Sequence, residues 1–131
     1  MQVDIEGSEW EVLKFASTSD ILKFKQILIE FHMNPTQVSV FESCLDIMNK
    51  IRQTHTAIHV HFNNNGICDI LDLGFKHFSG AIEVTYIRTS DYPLVLCKES
   101  FPTELDTPND LNLPDVKIGN FFNSLILNEK P

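Results

Sequence analysis

The first residues of the chain pass from a strand-like to a helix-like pattern of apolar positions. Residues 1–5 are interpreted as the end of a β-strand, and Glu6-Gly7 as the turn that follows it. Ser8 stands three positions before Glu11, which is the spacing of a capping box and predicts the start of a helix. The polar run 17–20 would end this helix. Its apolar side would consist of Trp10, Val12, Leu13 and Ala16.

A second strand and a longer helix are predicted next. Residues 25–32 have a continuous apolar centre, 27–29, of the kind found in strands buried on both faces of a parallel sheet. Asn34-Pro35-Thr36 predicts the start of a helix, which would end near Thr54. Its apolar residues recur at helical spacing: Phe41, Cys44, Leu45, Met48 and Ile51.

Two further strands precede an extended tail. Residues 57–62 alternate, which places His59 and His61 on one face and the apolar residues Ile58, Val60 and Phe62 on the other. Residues 81–88 form another β-rich run. The loop between these strands would be partly packed through Ile70, Leu71, Leu73 and Phe75. From Tyr92 onward the prolines predict an extended tail with one short turn at 120–123.

The predicted order of elements, β-α-β-α-β-loop-β, is typical of an α/β fold. The βα units favour parallel strands, and the last two strands would form an antiparallel pair at one edge. The chain has 131 residues, which is one domain's worth and enough to bury a core.

Composition excludes several classes of protein. The net charge of −8 argues against nucleic-acid binding, which needs a basic surface. The chain has no apolar run long enough to predict a membrane span. Four acidic residues within the first eleven positions, Asp4, Glu6, Glu9 and Glu11, are not expected in a signal or transit peptide. The three cysteines, Cys44, Cys68 and Cys97, form no disulfide framework and are expected as reduced thiols.

The first candidate chemistry lies where the first strand ends. Asp4 and Glu6 stand at the strand–helix junction, and the carboxyl edge of an open α/β sheet is where ligands bind. Gly7 permits a tight turn or a close backbone approach. A carboxylate here can accept a proton or bind a hydroxyl group or a metal. The alternative is that both acids only cap the helix and complement its dipole.

The second candidate pair, Glu30 and His32, lies at the end of the second strand and shares one side of it. If the two strands are neighbours, these side chains could reach Asp4 and Glu6 and run acid–base chemistry or hold a divalent cation. The alternative is a buried Glu–His pair that supports the turn.

Two further features are less specific. His59 and His61 could ligate a metal, but the spacing fixes no third ligand, and a polar, half-exposed strand face is the preferred interpretation. Glu83 would either be exposed to solvent or pair with another side chain, and Arg88 and a histidine are both candidate partners.

Residues 3–13, which contain Asp4-Ile5-Glu6-Gly7-Ser8-Glu9, followed by 27–32, resemble the second half of FkbM-like class I S-adenosylmethionine-dependent methyltransferases. The family hallmark is a D-[IV]-E-G-x-E stretch after the fourth strand, followed by an apolar fifth strand that ends in an acid. The closing strands and the tail of one FkbM-like branch are similar to segments 58–64, 82–88 and 101–110.

The resemblance implies part of a Rossmann-like sheet of order 3-2-1-4-5-7-6, with its last strand antiparallel. Strands four, five, six and seven would be 1–5, 26–32, 57–62 and 81–88. Residues 1–91 would form the C-terminal half of the domain, and the tail, 92–131, would pack on it. The family binds S-adenosylmethionine on a Gly-rich first loop and an acid that ends strand two. Neither is present in this sequence, so we expect this chain alone to be inactive.

The resemblance also implies roles for the candidate residues. Asp4 and Glu6 map onto the family's catalytic region, where they would position or deprotonate the methyl acceptor, a small molecule or a glycan. Glu30 and His32 are the second candidates, and no residue is assigned to the cofactor or to a metal. Two alternatives stay open. One is a non-catalytic interaction module that self-associates through the exposed edge of strand four. The other is a small metal-dependent enzyme that uses the same four residues, with His59 and His61 as further candidates.

Overall fold

The computed structural model of the chain describes residues 1–33, 38–65, 67–68 and 78–120. The helices are α1 (Glu9–Phe15), α2 (Thr18–Ile21) and α3 (Val38–Arg52), and a short 3-10 helix covers Thr89–Asp91. The strands are β1 (Gln2–Val3), β2 (Gln26–His32), β3 (His55–Phe62), β4 (Ile67–Cys68), β5 (Phe78–Ser79) and β6 (Ala81–Arg88). No helix in these described ranges is long and apolar enough to cross a membrane.

Four strands form one mixed sheet in the order β1-β2-β6-β3. β1 pairs in parallel with β2, while β6 runs antiparallel to both β2 and β3. The fold is therefore mixed α/β, with parallel first strands and an antiparallel last strand, as the sequence predicts. β4 and β5 form a separate two-stranded sheet.

The core lies on one face of the four-stranded sheet, where α1 packs on β2 and α3 on β3. Ile27, Ile29 and Phe31 point into it and are almost fully buried, whereas Leu28 between them is 39% exposed. The expectation that β2 is buried on both faces is therefore wrong. Since the described helices cover only one face, alternate β2 side chains stay outside the core. Each fully buried aliphatic or aromatic side chain stabilises the fold by about 1.5–3 kcal/mol.

Helix α1 begins differently from the prediction. Ser8 has helical backbone angles and no side-chain capping hydrogen bond, so the predicted capping box is wrong. The Ser8 N–H, which Glu11 would accept in a capping box, donates instead to the Ile5 carbonyl oxygen at 3.2 Å. The Glu9 carboxylate accepts the Gly7 N–H. A capping box does form one helix later, where Ser17 and Asp20 begin α2. Leu13 faces the core, but Val12 is 52% exposed.

Strand β3 contains an irregularity that changes its alternation. The register to β6 shifts between Ala57 and His59, which leaves Ile58 exposed rather than in the core. The prediction that Ile58 shares a sheet face with Val60 and Phe62 is therefore wrong. His59 and His61 still share one face, as predicted, because the irregularity precedes both of them.

The tail from Tyr92 to Asn120 is irregular and contacts the sheet. Its Phe101 is buried, bridges to Gly119 and stacks edge-on against His59 at 5.1 Å. The cysteines Cys44 and Cys97 are free thiols. The division at residue 91 stays a prediction. Several predicted features lie outside the described residues: the helix start at 34–36, the packed loop residues Ile70, Leu71, Leu73 and Phe75, and the 121–123 part of the turn.

Candidate functional site

The four predicted site residues come together at one edge of the sheet. β1 and β2 are parallel neighbours, so Asp4 and Glu6 leave β1 at the edge where Glu30 and His32 end β2. Asp4, Glu30 and His32 each offer one potential ligand atom, and these atoms lie within 4.8 Å of one another. Glu6 Oε2 lies 3.4 Å from His32 Nε2. We call Asp4, Glu6, Glu30 and His32 the edge cluster.

Strand register and one tight turn create this arrangement. Gln2 pairs with Leu28, so one pleat further along the same face brings Asp4 beside Glu30. The chain then reverses through Glu6 and Gly7, which have positive φ angles of 54° and 96°. A Cβ at Gly7 would meet no neighbour, so glycine is favoured here for its backbone conformation alone.

Glu9 supports the edge cluster from beneath, a role that the sequence analysis missed. Its side chain is fully buried. Oε2 accepts the Gly7 N–H at 2.8 Å, and Oε1 accepts the His32 N–H at 2.7 Å. The carboxylate thus ties the turn after β1 to the end of β2. A charged acceptor for backbone N–H groups is a strong form of hydrogen bond.

The His32 ring lies between two carboxylates. Nδ1 is buried 3.3 Å from Glu9 Oε1 and makes no hydrogen bond within the described ranges, while Nε2 faces Glu6. Trp10 fixes the same strand end, since its Nε1–H donates to the His32 carbonyl at 2.6 Å and its ring stacks on Phe31. The position of His32 is therefore determined by its backbone and by the groups around its ring.

The electrostatics of the edge cluster favour proton binding at Glu30. Burial raises the Glu30 pKa, and the nearby Asp4 carboxylate adds to the rise. A hydrogen bond from Asn63 Nδ2, 3.0 Å from Oε1, and the charge of His32 act in the opposite direction without cancelling it. In the part of the chain that the structure describes, no lysine or arginine forms an ion pair with Asp4, Glu30 or His32.

A cavity of about 200 Å³ adjoins the edge cluster on the sheet face that the described helices leave uncovered. Its lining includes Asp4, Leu28, Glu30, His59, Glu83 and Thr85. A space of this size holds several water molecules or a small polar group. Its carboxylates and hydroxyl group suit a cationic or hydroxylated ligand better than an anionic one.

His59 and His61 do not join the edge cluster. His59 Nε2 lies 2.7 Å from Asp106 Oδ1, and His61 Nε2 lies 3.1 Å from Asp115 Oδ1. Both acids belong to the tail. The interpretation of this face as half-exposed is wrong for His61, whose side chain is only 4% exposed because the tail covers it. These histidines therefore hold the tail on the sheet.

Glu83 pairs with a histidine, which is one of the two partners that the sequence analysis allowed. Its Oε2 lies 3.6 Å from His61 Nδ1, and Asn109 Nδ2 donates to its Oε1 at 3.2 Å. Arg88, the other candidate partner, instead forms two hydrogen bonds to Asp91.

The edge cluster can hold a hydroxyl group, accept its proton, or bind a cation. The chain matches no protein-family model, and neither curated proteins nor solved structures provide a match. The function of this site therefore has to be inferred from its own chemistry.

Proposed function

We propose that this chain forms the acceptor-binding half of an S-adenosylmethionine-dependent methyltransferase-like domain with a partial Rossmann-like sheet. Its reaction would be O-methyl transfer to a small molecule or a glycan. The observation that carries the proposal is the meeting of Asp4, Glu6, Glu30 and His32 at the carboxyl edge of two parallel strands. In open α/β sheets this edge is where ligands bind. The order β1-β2-β6-β3 with an antiparallel β6 agrees with strands 4-5-7-6 of that fold.

The chemistry of the edge cluster suits an alcohol acceptor. S-adenosylmethionine, when bound, supplies an electrophilic methyl group, and the transfer itself needs mainly in-line placement of the acceptor oxygen. Asp4 and Glu30 would accept hydrogen bonds from the acceptor hydroxyl groups at the mouth of the cavity. The proton released from the reacting hydroxyl would pass to a carboxylate or to His32.

A cofactor site is not assigned to any residue of this sequence. The features that the resemblance implies for cofactor binding, a Gly-rich loop and an acid after strand two, would precede β1. The chain alone is therefore expected to bind the cofactor weakly and to transfer no methyl group.

The test starts from the transcript upstream of Met1. The proposal expects a reading frame there that encodes a Gly-rich loop after a strand. The product that includes it should transfer tritium from methyl-labelled S-adenosylmethionine to an alcohol acceptor, and Asp4→Asn should abolish the transfer while Glu11→Gln preserves it. Micromolar cofactor binding by the 131-residue chain alone would contradict the expectation that this sequence does not contain the cofactor site. Equal transfer by the Asp4→Asn product would contradict the proposed role of the edge cluster.

A non-catalytic interaction module is the second candidate, because β1 lies at the edge of the four-stranded sheet. An exposed parallel edge offers unpaired backbone groups to another strand. Sedimentation equilibrium tests it: concentration-dependent self-association would support this alternative, and a stable monomer at all concentrations would count against it.

A further inference from the structure

We propose that Asp4, Glu30 and His32 form a binding site for one divalent transition-metal ion. The site shares residues with the proposed function, but it does not depend on methyl transfer. The ion is expected to bind the chain with no cofactor or acceptor present.

The distances between the donor atoms suit such an ion. The three potential ligand atoms lie within 4.8 Å of one another. Ligands about 2.0–2.2 Å from a metal are separated from each other by about 3–4 Å, so the three atoms need to move closer by only about 1 Å. Asp4 is exposed and can make this adjustment by a change of rotamer. Glu30 and His32 are held on one strand face by the β2 pleat.

The charges of the three residues also suit a cation. Two carboxylates are brought together by strand register, and the described residues provide no lysine or arginine ion pair for either. Like charges at this distance repel each other, and a divalent ion between them would convert the repulsion into attraction. Asn63 donates a hydrogen bond to Glu30 Oε1, which orients that carboxylate.

His32 Nε2 is the nitrogen that we assign as the ligand. Nδ1 is buried beside the Glu9 carboxylate at 3.3 Å, whereas Nε2 points to the open side where Glu6 lies. A carboxylate next to the non-ligating nitrogen of a histidine is a common support of metal sites, because it fixes the tautomer and the ring orientation. Glu6 has a side chain that is 87% exposed, so it can move aside to admit the ion.

The donor set indicates the class of metal. Two carboxylate oxygens and one imidazole suit Mn²⁺ or Zn²⁺ better than Ca²⁺, which prefers oxygen ligands alone. Three protein ligands leave coordination positions open, and Asp4 and Glu30 also line the adjoining cavity. Water or a hydroxylated ligand in that cavity would occupy those positions.

The test is a titration of the 131-residue chain with MnCl₂, followed by calorimetry and by electron paramagnetic resonance of the free ion. We expect one Mn²⁺ per chain. Asp4→Asn, Glu30→Gln and His32→Gln should each weaken binding by about tenfold or more. Imidazole nitrogen coupling in the spin-echo spectrum of bound Mn²⁺ should be lost in His32→Gln.

The control is Glu99→Gln, which removes an exposed carboxylate of the tail that lies outside the three proposed ligands. Its affinity should stay within about twofold of the unmodified chain if the ligands are specific. An equal loss in this variant would overturn the site in favour of diffuse attraction to acidic residues. Failure of the unmodified chain to bind Mn²⁺ or Zn²⁺ at millimolar concentration would also overturn it. Circular dichroism checks that each variant folds, and the exposed Asp4→Asn is the variant least able to disturb the core.

The outcome is independent of the methyltransferase test, because no cofactor is added. If the chain binds no ion, the proposal of methyl transfer is unaffected. Conversely, absence of an upstream cofactor-binding half leaves the metal site standing.

Discussion

Replacing Glu9 with glutamine tests whether one buried carboxylate holds the turn after β1 to the end of β2. The carboxylate accepts two backbone N–H groups, those of Gly7 and His32, while its side chain is fully buried. Glutamine keeps one oxygen acceptor but places an NH₂ donor against the second N–H. The variant therefore loses one hydrogen bond, weakens the other because its acceptor is no longer charged, and leaves a buried donor unpaired. We expect a loss of about 2–3 kcal/mol in the free energy of unfolding.

The measurement is urea unfolding followed by the fluorescence of Trp10, the chain's one tryptophan, which stacks on Phe31 at 4.6 Å. The urea midpoint should fall while the slope of unfolding free energy against urea stays unchanged. The melting temperature should fall by about 6–15 °C for a chain of this size.

The matched control is Glu11→Gln, which removes an exposed carboxylate from the first turn of the same helix. Its effect should stay within about 0.5 kcal/mol. If Glu9→Gln unfolds at the same urea concentration as the unmodified chain, the two backbone hydrogen bonds do not hold this edge together. If both variants lose the same stability, the cause is the helix dipole rather than the buried carboxylate.

Two further predictions concern contacts remote from the edge cluster. Lys50 Nζ donates to three carbonyl oxygens around the end of α1 at 2.9, 2.9 and 3.1 Å, so Lys50→Met should cost about 1–2 kcal/mol in urea unfolding. The exposed Lys25→Met serves as the control, and an equal loss there would contradict the capping role. Burial acts to raise the Asp106 pKa, but hydrogen bonds from the Thr103 backbone and from the side chains of His59 and Thr103 hold it below its ordinary value of 3.8. A carboxyl whose pKa is lower in the folded state stabilises the fold above its unfolded pKa, and this stabilisation is lost as the pH falls through the folded value. Urea unfolding at a series of pH values below about 5 should therefore show a steeper loss in the unmodified chain than in Asp106→Asn, and parallel curves would contradict the assignment.

The strand order was open to prediction because it depends on patterns that the sequence carries directly. Apolar runs and turn residues located β2, β3 and β6 to within about two residues. Pairing then followed from the lengths of the connections, which allow parallel neighbours through a helix and an antiparallel return through a loop. The errors at Leu28 and Ile58 have two different physical causes. Leu28 is exposed because the described helices cover only the other face of the sheet, and Ile58 is exposed because β3 carries an extra residue. Neither feature is encoded in the strand itself.

The candidate site likewise contains residues that the sequence predicts and one residue that it does not. Asp4, Glu6, Glu30 and His32 could be predicted because the carboxyl ends of parallel neighbours meet at one edge. Glu9 could not, because an acid in the first turn of a helix is normally a solvated residue that complements the dipole. Its burial depends on a backbone N–H 23 positions away. The sequence signal that could have raised the question is its position directly after the turn, within reach of the Gly7 N–H.

The contact between the tail and the sheet allows the second face of the sheet to carry polar residues. A doubly wound domain covers both faces of its sheet with helices, and it therefore needs apolar residues on both. Here the second face carries His59, His61 and Glu83, and the tail supplies their partners, among them Asp106 and Asp115.

These pairs satisfy side chains that would be costly to bury alone. They also fix His59, which forms one wall of the cavity beside the edge cluster. The cavity wall is thus determined by residues 47 positions apart in the chain. A chain whose tail is displaced from this face would lose the contact that orients the His59 side chain in that wall. It would retain the edge cluster, because the pairing of β1 with β2 brings those residues together. Ligand binding in the cavity and cation binding at the edge cluster should therefore respond differently to Asp106→Asn, with the first weakened and the second retained.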